Sequence, residues 1–334
     1  MRHHRRRIRS DQDGVASTVG TVMALLVFLT LLSLIVNQYV PVWMKDSEAA
    51  HMNGALGQFS SMKSAIDLQN LAAQGSGSDY VPVTAASAVT LGVEGVPIFA
   101  VPTVGMLTSD PDAGPFTVTF DYLIPTPAGG DLRTRVREQS NGSIALDVVN
   151  RYYTPQKVVY ENGAVIRAQR DGQVIRAQPT FLVTEVNQTL QVRLDLVTLY
   201  GRGAITGAST EVVNTRLFAT DVQKYDRFPS NAVIWVNHTS AYALAWYQFL
   251  NTTLAESLNL RGTYTATPLD QTFTARIGAS VVYKISVGFI PTKNQYIMRL
   301  EIHNNVGLLA LDWFRLRHAQ VQIGVGEAPE NAFK

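Results

Sequence analysis

Between Val15 and Val36 no residue carries a charge, a run that includes MALLVFLTLLSLIV at 23–36. Wound as a helix at 1.5 Å per residue, it reaches about 33 Å, the depth of a bilayer's hydrocarbon core. The polar residues inside it (Ser17, Thr18, Thr21, Thr30 and Ser33) have short hydroxyls that can bond carbonyls one turn back. Arg2, Arg5, Arg6, Arg7 and Arg9 precede it, and the positive-inside rule keeps such a cluster in the cytoplasm with the C-terminal bulk outside. Tyr39 and Trp43 fall where interfacial aromatic residues belong. The run exceeds the roughly 7–15 residues of a secretory signal core, and NQYVPVWMKD after it has no small-residue cleavage site. The expectation is a retained single-pass anchor in the lipid bilayer.

Composition narrows the choices for the rest of the chain. Of the 334 residues 46% are apolar and only 16% charged, against about 25% charged in ordinary soluble domains, so disorder is excluded. The five arginines against Asp11 and Asp13 give residues 1–13 a formal +3 within a total of +2, which leaves the body near neutral. That balance argues against a nucleic-acid partner. With no cysteine, the chain has no disulfide framework, thiol nucleophile or cysteine-ligated metal.

After the span the helical period continues. Met52, Leu56, Phe59, Met62 and Ile66 form the stripe of an amphipathic stalk over 37–74, with Pro41 predicting a kink near the membrane surface. Gly75-Ser-Gly-Ser78 ends it. The exposed stripe needs cover, from the chain's own sheet or from neighbouring helices. Within the span, Ala16, Gly20 and Ala24 recur every four residues and allow close helix–helix approach.

From residue 79 the period becomes two. PFTVTFDYLI at 115–124, LQVRLDLV at 190–197 and YIMRLEIH at 296–303 each bury one face, which predicts antiparallel sheets. Asn162-Gly163 and Asp171-Gly172 read as two-residue hairpin loops, the second placing Arg167 opposite Arg176. One helix, after Thr239-Ser240, carries Tyr242, Trp246, Phe249, Leu250 and Leu254. The expected fold is mainly β with a long N-terminal α-helix: a basic leader 1–14, a transmembrane helix 15–36, the stalk, then an antiparallel β-sandwich body over 79–334. The body holds one sandwich or two, with an internal seam near 201–209.

DGVASTVGTVMALLVFLTLLSLIV with its basic leader, helical stalk and β-rich body resembles archaeal type IV pilin-like proteins of the archaellin/pilin superfamily. QKVVYENGAVIRAQRDGQVIRAQ at 156–178 is similar in wording to the hairpin region of pilin-like surface proteins. The resemblance implies leader removal between Gly14 and Val15 and a helix that serves as both anchor and filament core. Asp13 stands where family leaders carry Lys or Arg, and Val19 where many bacterial pilins carry glutamate. The body is large for a major subunit, which favours a minor subunit, a tip protein or a lone anchored surface protein.

Catalytic and cofactor motifs are missing from the sequence: the six histidines lack zinc spacing, and there is no G-x-S-x-G elbow or Walker loop. Gly201-Arg-Gly203 and Gly207 read as a plain loop, and Ser109-Asp110-Pro-Asp112-Ala-Gly114 as a turn rather than a calcium loop. Arg133, Arg135 and Arg137 line one strand face, as a solvated edge or a contact for glycan or lipid phosphate. His303 is expected on a solvated face. Asn141, Asn187, Asn237 and Asn251 head Asn-x-Ser/Thr sequons. The functional expectation is a non-catalytic, cell-surface protein without cofactors that associates with itself or with other pilin-like subunits. The alternative is a tethered β-sandwich module that binds envelope glycans, a surface layer or another surface protein.

Overall fold

The computed structural model describes residues 11–95, 99–267 and 269–329. The leader residues Arg2, His3, His4, Arg5, Arg6, Arg7 and Arg9 lie outside the described residues, and Gly14 and Val15 are described as helical backbone alone.

The chain opens with a helix in two parts, α1 (Asp11–Leu34) and α2 (Val40–Ser76), joined by a π turn at Ile35–Tyr39. Pro41, at the start of α2, has no N–H to return to the carbonyl of Asn37. At the expected kink the helix widens into that π turn, closed by the Val40 N–H on the Ile35 carbonyl. Inside α1, the Thr30 hydroxyl donates to the Leu26 carbonyl at 2.7 Å and that of Thr21 to Thr18 at 2.9 Å, so these polar groups are satisfied locally. Gly77, at φ 57°, ends α2 with a conformation that only glycine adopts readily.

Eighteen strands follow among the described residues. The first six are β1 (Thr84–Thr90), β2 (Gly105–Asp110), β3 (Phe116–Thr126), β4 (Gly130–Ser140), β5 (Ser143–Val148) and β6 (Gln156–Glu161). Next come β7 (Ala164–Gln169), β8 (Gly172–Ala177), β9 (Phe181–Val186), β10 (Thr189–Tyr200), β11 (Gly203–Gly207) and β12 (Thr210–Tyr225). After β13 (Val233–Ser240) and helix α3 (Ala243–Leu258) come β14 (Gly262–Ala266), β15 (Asp270–Ile277), β16 (Ser280–Ile290), β17 (Gln295–His303) and β18 (Ala310–Val325).

They build three sheets, in the orders β1-β12-β18-β10-β9, β11-β2-β5-β6-β7-β8 and β14-β15-β16-β17-β13-β3-β4. The fold is therefore mainly β, with one long apolar N-terminal helix and an antiparallel sheet body. One pair departs from the antiparallel expectation: β10 runs parallel to β18 in the middle of the first sheet. That sheet is covered on both sides, the setting in which parallel pairs occur. Leu190, Val192, Leu194 and Leu196 enter a core shared with the third sheet and α3, while Val197 and Leu199 enter a second core beneath α2.

Three local readings change: the loop at Gly203 and Gly207, the Asp171-Gly172 turn and the Arg167–Arg176 pair. The seam near 201–209 holds β11, which pairs with β2 as an edge strand of the second sheet, while β10 and β12 on either side belong to the first. Residues 201–209 thus knit two sheets together, and Gly203 and Gly207 are strand residues rather than loop. The Asn162-Gly163 hairpin forms as expected, with φ 45° and 80° and Glu161 opposite Ala164. The next one slips: Gln169 pairs with Gly172, so the loop is Arg170-Asp171, and a bulge follows. Arg167 then faces Val174 instead of Arg176, which removes the like-charge pair.

Candidate functional site

The junction between helix and body is a built polar site. From Ala16 to Tyr39 every helix residue but the partly covered Leu32 is exposed, including Ala16, Gly20 and Ala24 on their shared face. A Cβ added at Gly20 would meet nothing within 4 Å. Tyr39 and Trp43 are exposed at the start of the seated part. Burial begins at Val40 and returns at Met44, Glu48, Met52, Leu56, Phe59, Met62 and Ile66, the predicted stripe extended by three positions toward the N-terminus. The stripe packs into the second core against both the first and second sheets. Its cover is the chain's own body.

Four polar side chains fix this seat, and none was legible as an apolar stripe. Glu48, with no exposed surface, accepts through Oε1 from the Thr103 hydroxyl (2.7 Å) and the Arg151 N–H (3.0 Å). Its Oε2 accepts from the N–H groups of Tyr152 (2.8 Å) and Tyr153 (2.7 Å). Burial pushes the carboxyl up, but the Arg151, Thr103, Tyr153 and Tyr152 donors together outweigh it and hold Glu48 below the ordinary carboxylate value. Three successive backbone N–H groups turned on one carboxylate form a small anion nest. Its signal in the sequence is spacing: Glu48 precedes Met52 by four residues and so belongs to the buried face.

Two of the other three hold the end of β1, and the third meets the middle of β12. His51 Nε2 lies 2.9 Å from the Thr90 carbonyl, and the Gln58 amide accepts from the Thr90 N–H at 3.0 Å, which holds the end of β1. β1 pairs with β12 as far as Thr84 opposite Arg216. Beyond it the Gln69 amide takes over, donating to the Thr215 carbonyl (3.1 Å) and accepting from the Leu217 N–H (2.8 Å). The helix thereby completes the backbone pairing of a sheet edge.

A second buried carboxylate ties the second sheet to the third. Glu161 Oε1 lies 2.8 Å from His238 Nε2 and 3.3 Å from the Trp246 indole N–H, and Oε2 accepts the Ser240 hydroxyl at 2.8 Å. The other histidine nitrogen faces the Pro115 carbonyl at 3.2 Å. Serine, histidine and glutamate are together, but Ser240 donates to the carboxylate and not to the imidazole, so the relay of a hydrolase is not formed. All four side chains are buried. The arrangement fastens β6, β13 and α3.

The remaining expected residues separate. Arg133 and Arg135 converge on Asp121, at 2.6 and 2.9 Å, and Arg135 also lies over the Trp235 ring. Arg135 first, then Arg133, holds the Asp121 carboxyl low. Of the expected arginine stripe, two members are therefore spent on an internal carboxylate. Asp110 and Asp112 both pair with Arg202, and the Asp112 N–H bonds Asp110 Oδ1, an ordinary turn. His303 is half-buried, 3.5 Å from Glu301. Among the sequons, Asn187 and Asn237 are exposed. Asn141 turns inward to the Pro111 carbonyl, and Asn251 meets the Tyr283 hydroxyl from within α3. Among the described residues, no group of three or more acidic or histidine side chains is placed to hold a metal.

Residues 135–287 match a family of unknown function (DUF7289), a stretch from β4 into β16 that takes in Glu161, His238, Ser240 and Trp246 and leaves the helix outside. No curated protein and no solved structure matches the chain.

Proposed function

We propose that this chain is a membrane-anchored, pilin-like surface protein with a structural or adhesive role, a minor filament subunit or lone anchored protein rather than an enzyme. The observation that carries the reading is the division of one helix at Val40: an uncharged, bare half before it and a tightly seated half after it. A water-exposed apolar helix of this length is untenable, and a bilayer or a bundle of like helices relieves it. The cytoplasmic leader and outward body follow from the arginine cluster. The pilin kinship rests on the leader, the small residues Ala16, Gly20 and Ala24, and a stalk packed on its own sheet. Mass spectrometry of the N-terminus of protein from native membranes tests it. A mature start at Val15 supports processing as a pilin, and a retained arginine cluster reduces the protein to a simple anchor.

A tethered binding module for envelope glycans or another surface protein is the second reading. A basic cleft at the C-terminal end of α2 favours it.

A further inference from the structure

The C-terminal end of α2 stands about 50 Å along the helix from Val40. There a cleft of about 610 Å³ opens between Gln74, Tyr80, Phe218, Thr220, Val222 and Arg315. Gln74 Nε2 and Thr220 Oγ1 are buried in its wall with no hydrogen-bond partner. Beside it, cross-strand register sets Arg193 on β10, Arg315 on β18 and Lys224 on β12 in one row. The next row holds Asp195, Arg317 and Val222. Asp195 is the single carboxylate in the two rows; it bonds Arg317 and lies 3.6 Å from Arg193 Nε. Lys224 sits over the Trp313 ring at 5.8 Å, and Arg315 is exposed. Like charges directly opposite one another in a sheet are unfavourable, so three cations in a row mark a surface that an anion would stabilise.

We infer that this cleft binds an acidic saccharide, with Arg315 and its row receiving the carboxylate or sulfate. The amide of Gln74 and the hydroxyl of Thr220 pair with sugar hydroxyls, and the Phe218 and Tyr80 rings offer faces for the sugar's C–H groups. A bare inorganic anion would use the guanidinium and leave the amide, hydroxyl and rings idle. The inference deepens the binding-module reading and rests on the body lying outside the cell. Binding in detergent does not depend on orientation, so failure of the site and failure of that placement are read separately.

The test is calorimetric titration of full-length protein in neutral detergent micelles with an oligogalacturonate, its methyl ester and inorganic sulfate. The acid form should bind about tenfold or more tightly than its ester, the effect of a charge-assisted contact, and tighter than sulfate. Arg315→Gln and Thr220→Val should each weaken it by about tenfold at unchanged melting temperature. Equal binding of acid and ester, sulfate binding as tightly as the oligomer, no binding of the oligomer, or full binding by Arg315→Gln would each overturn the inference.

Discussion

Glu48 shows how much one side chain decides at the junction. Replacing it with alanine takes the shared acceptor from three part-buried N–H groups and the buried Thr103 hydroxyl, and the body should lose about 2 kcal/mol or more, read from chemical denaturation in micelles. Its acid dependence has a definite sign. The folded carboxyl titrates below its unfolded value of about 4.3, so its contribution is complete above that pH and fades as the pH falls through the lower folded value. Wild-type protein should therefore lose stability more steeply than Glu48→Gln as the pH is taken from 5 toward about 3. Parallel losses in the two proteins would show that the nest does not select the charged form. Glu161 is the counterpart between the second and third sheets: its donors come from β13 and α3, so three elements depend on one carboxylate.

At the scale of elements, the helix divides by what each half touches. Met52→Asp with Phe59→Asp puts two charges into the second core and should cost at least about 4 kcal/mol, enough to unfold the body. Gly20→Leu adds bulk where nothing lies within 4 Å, so the body should melt unchanged while differently tagged copies co-purify less well. If Gly20→Leu leaves co-purification intact, the small-residue face is not an association surface. The apolar stripe, the Gly77 stop, the Asn162-Gly163 hairpin and α3 were legible because period and turn chemistry are local. The register of β7 and β8 was not, since a bulge near Val165 and a loop at Arg170-Asp171 answer to the two cores that the hairpin spans. Nor was the parallel pairing of β10 with β18, two strands brought together over more than a hundred residues of chain. The polar seat was hidden for a related reason: spacing puts Glu48 on the buried face without naming its partners, and Gln58 and Gln69 resemble solvated helix residues until the strands that pair with them are in place.

For the whole molecule, the seated helix joins its bare apolar half to the body without a linker. The second core and the Glu48, His51, Gln58 and Gln69 bonds seat α2 on the body, so a load on the body passes to the bare half of the helix through packed side chains rather than a flexible linker. Such coupling would suit the structural or adhesive role proposed above, and the basic cleft lies at the C-terminal end of the same helix. The central claim is that the bare half crosses a bilayer and holds the body outside. The sequence has no cysteine, so one introduced at the exposed turn residue Lys293 reports its side of the membrane without background. With Lys293→Cys, a membrane-impermeant maleimide should label intact cells to the same extent as lysed cells. Labelling that appears only after lysis would contradict the account.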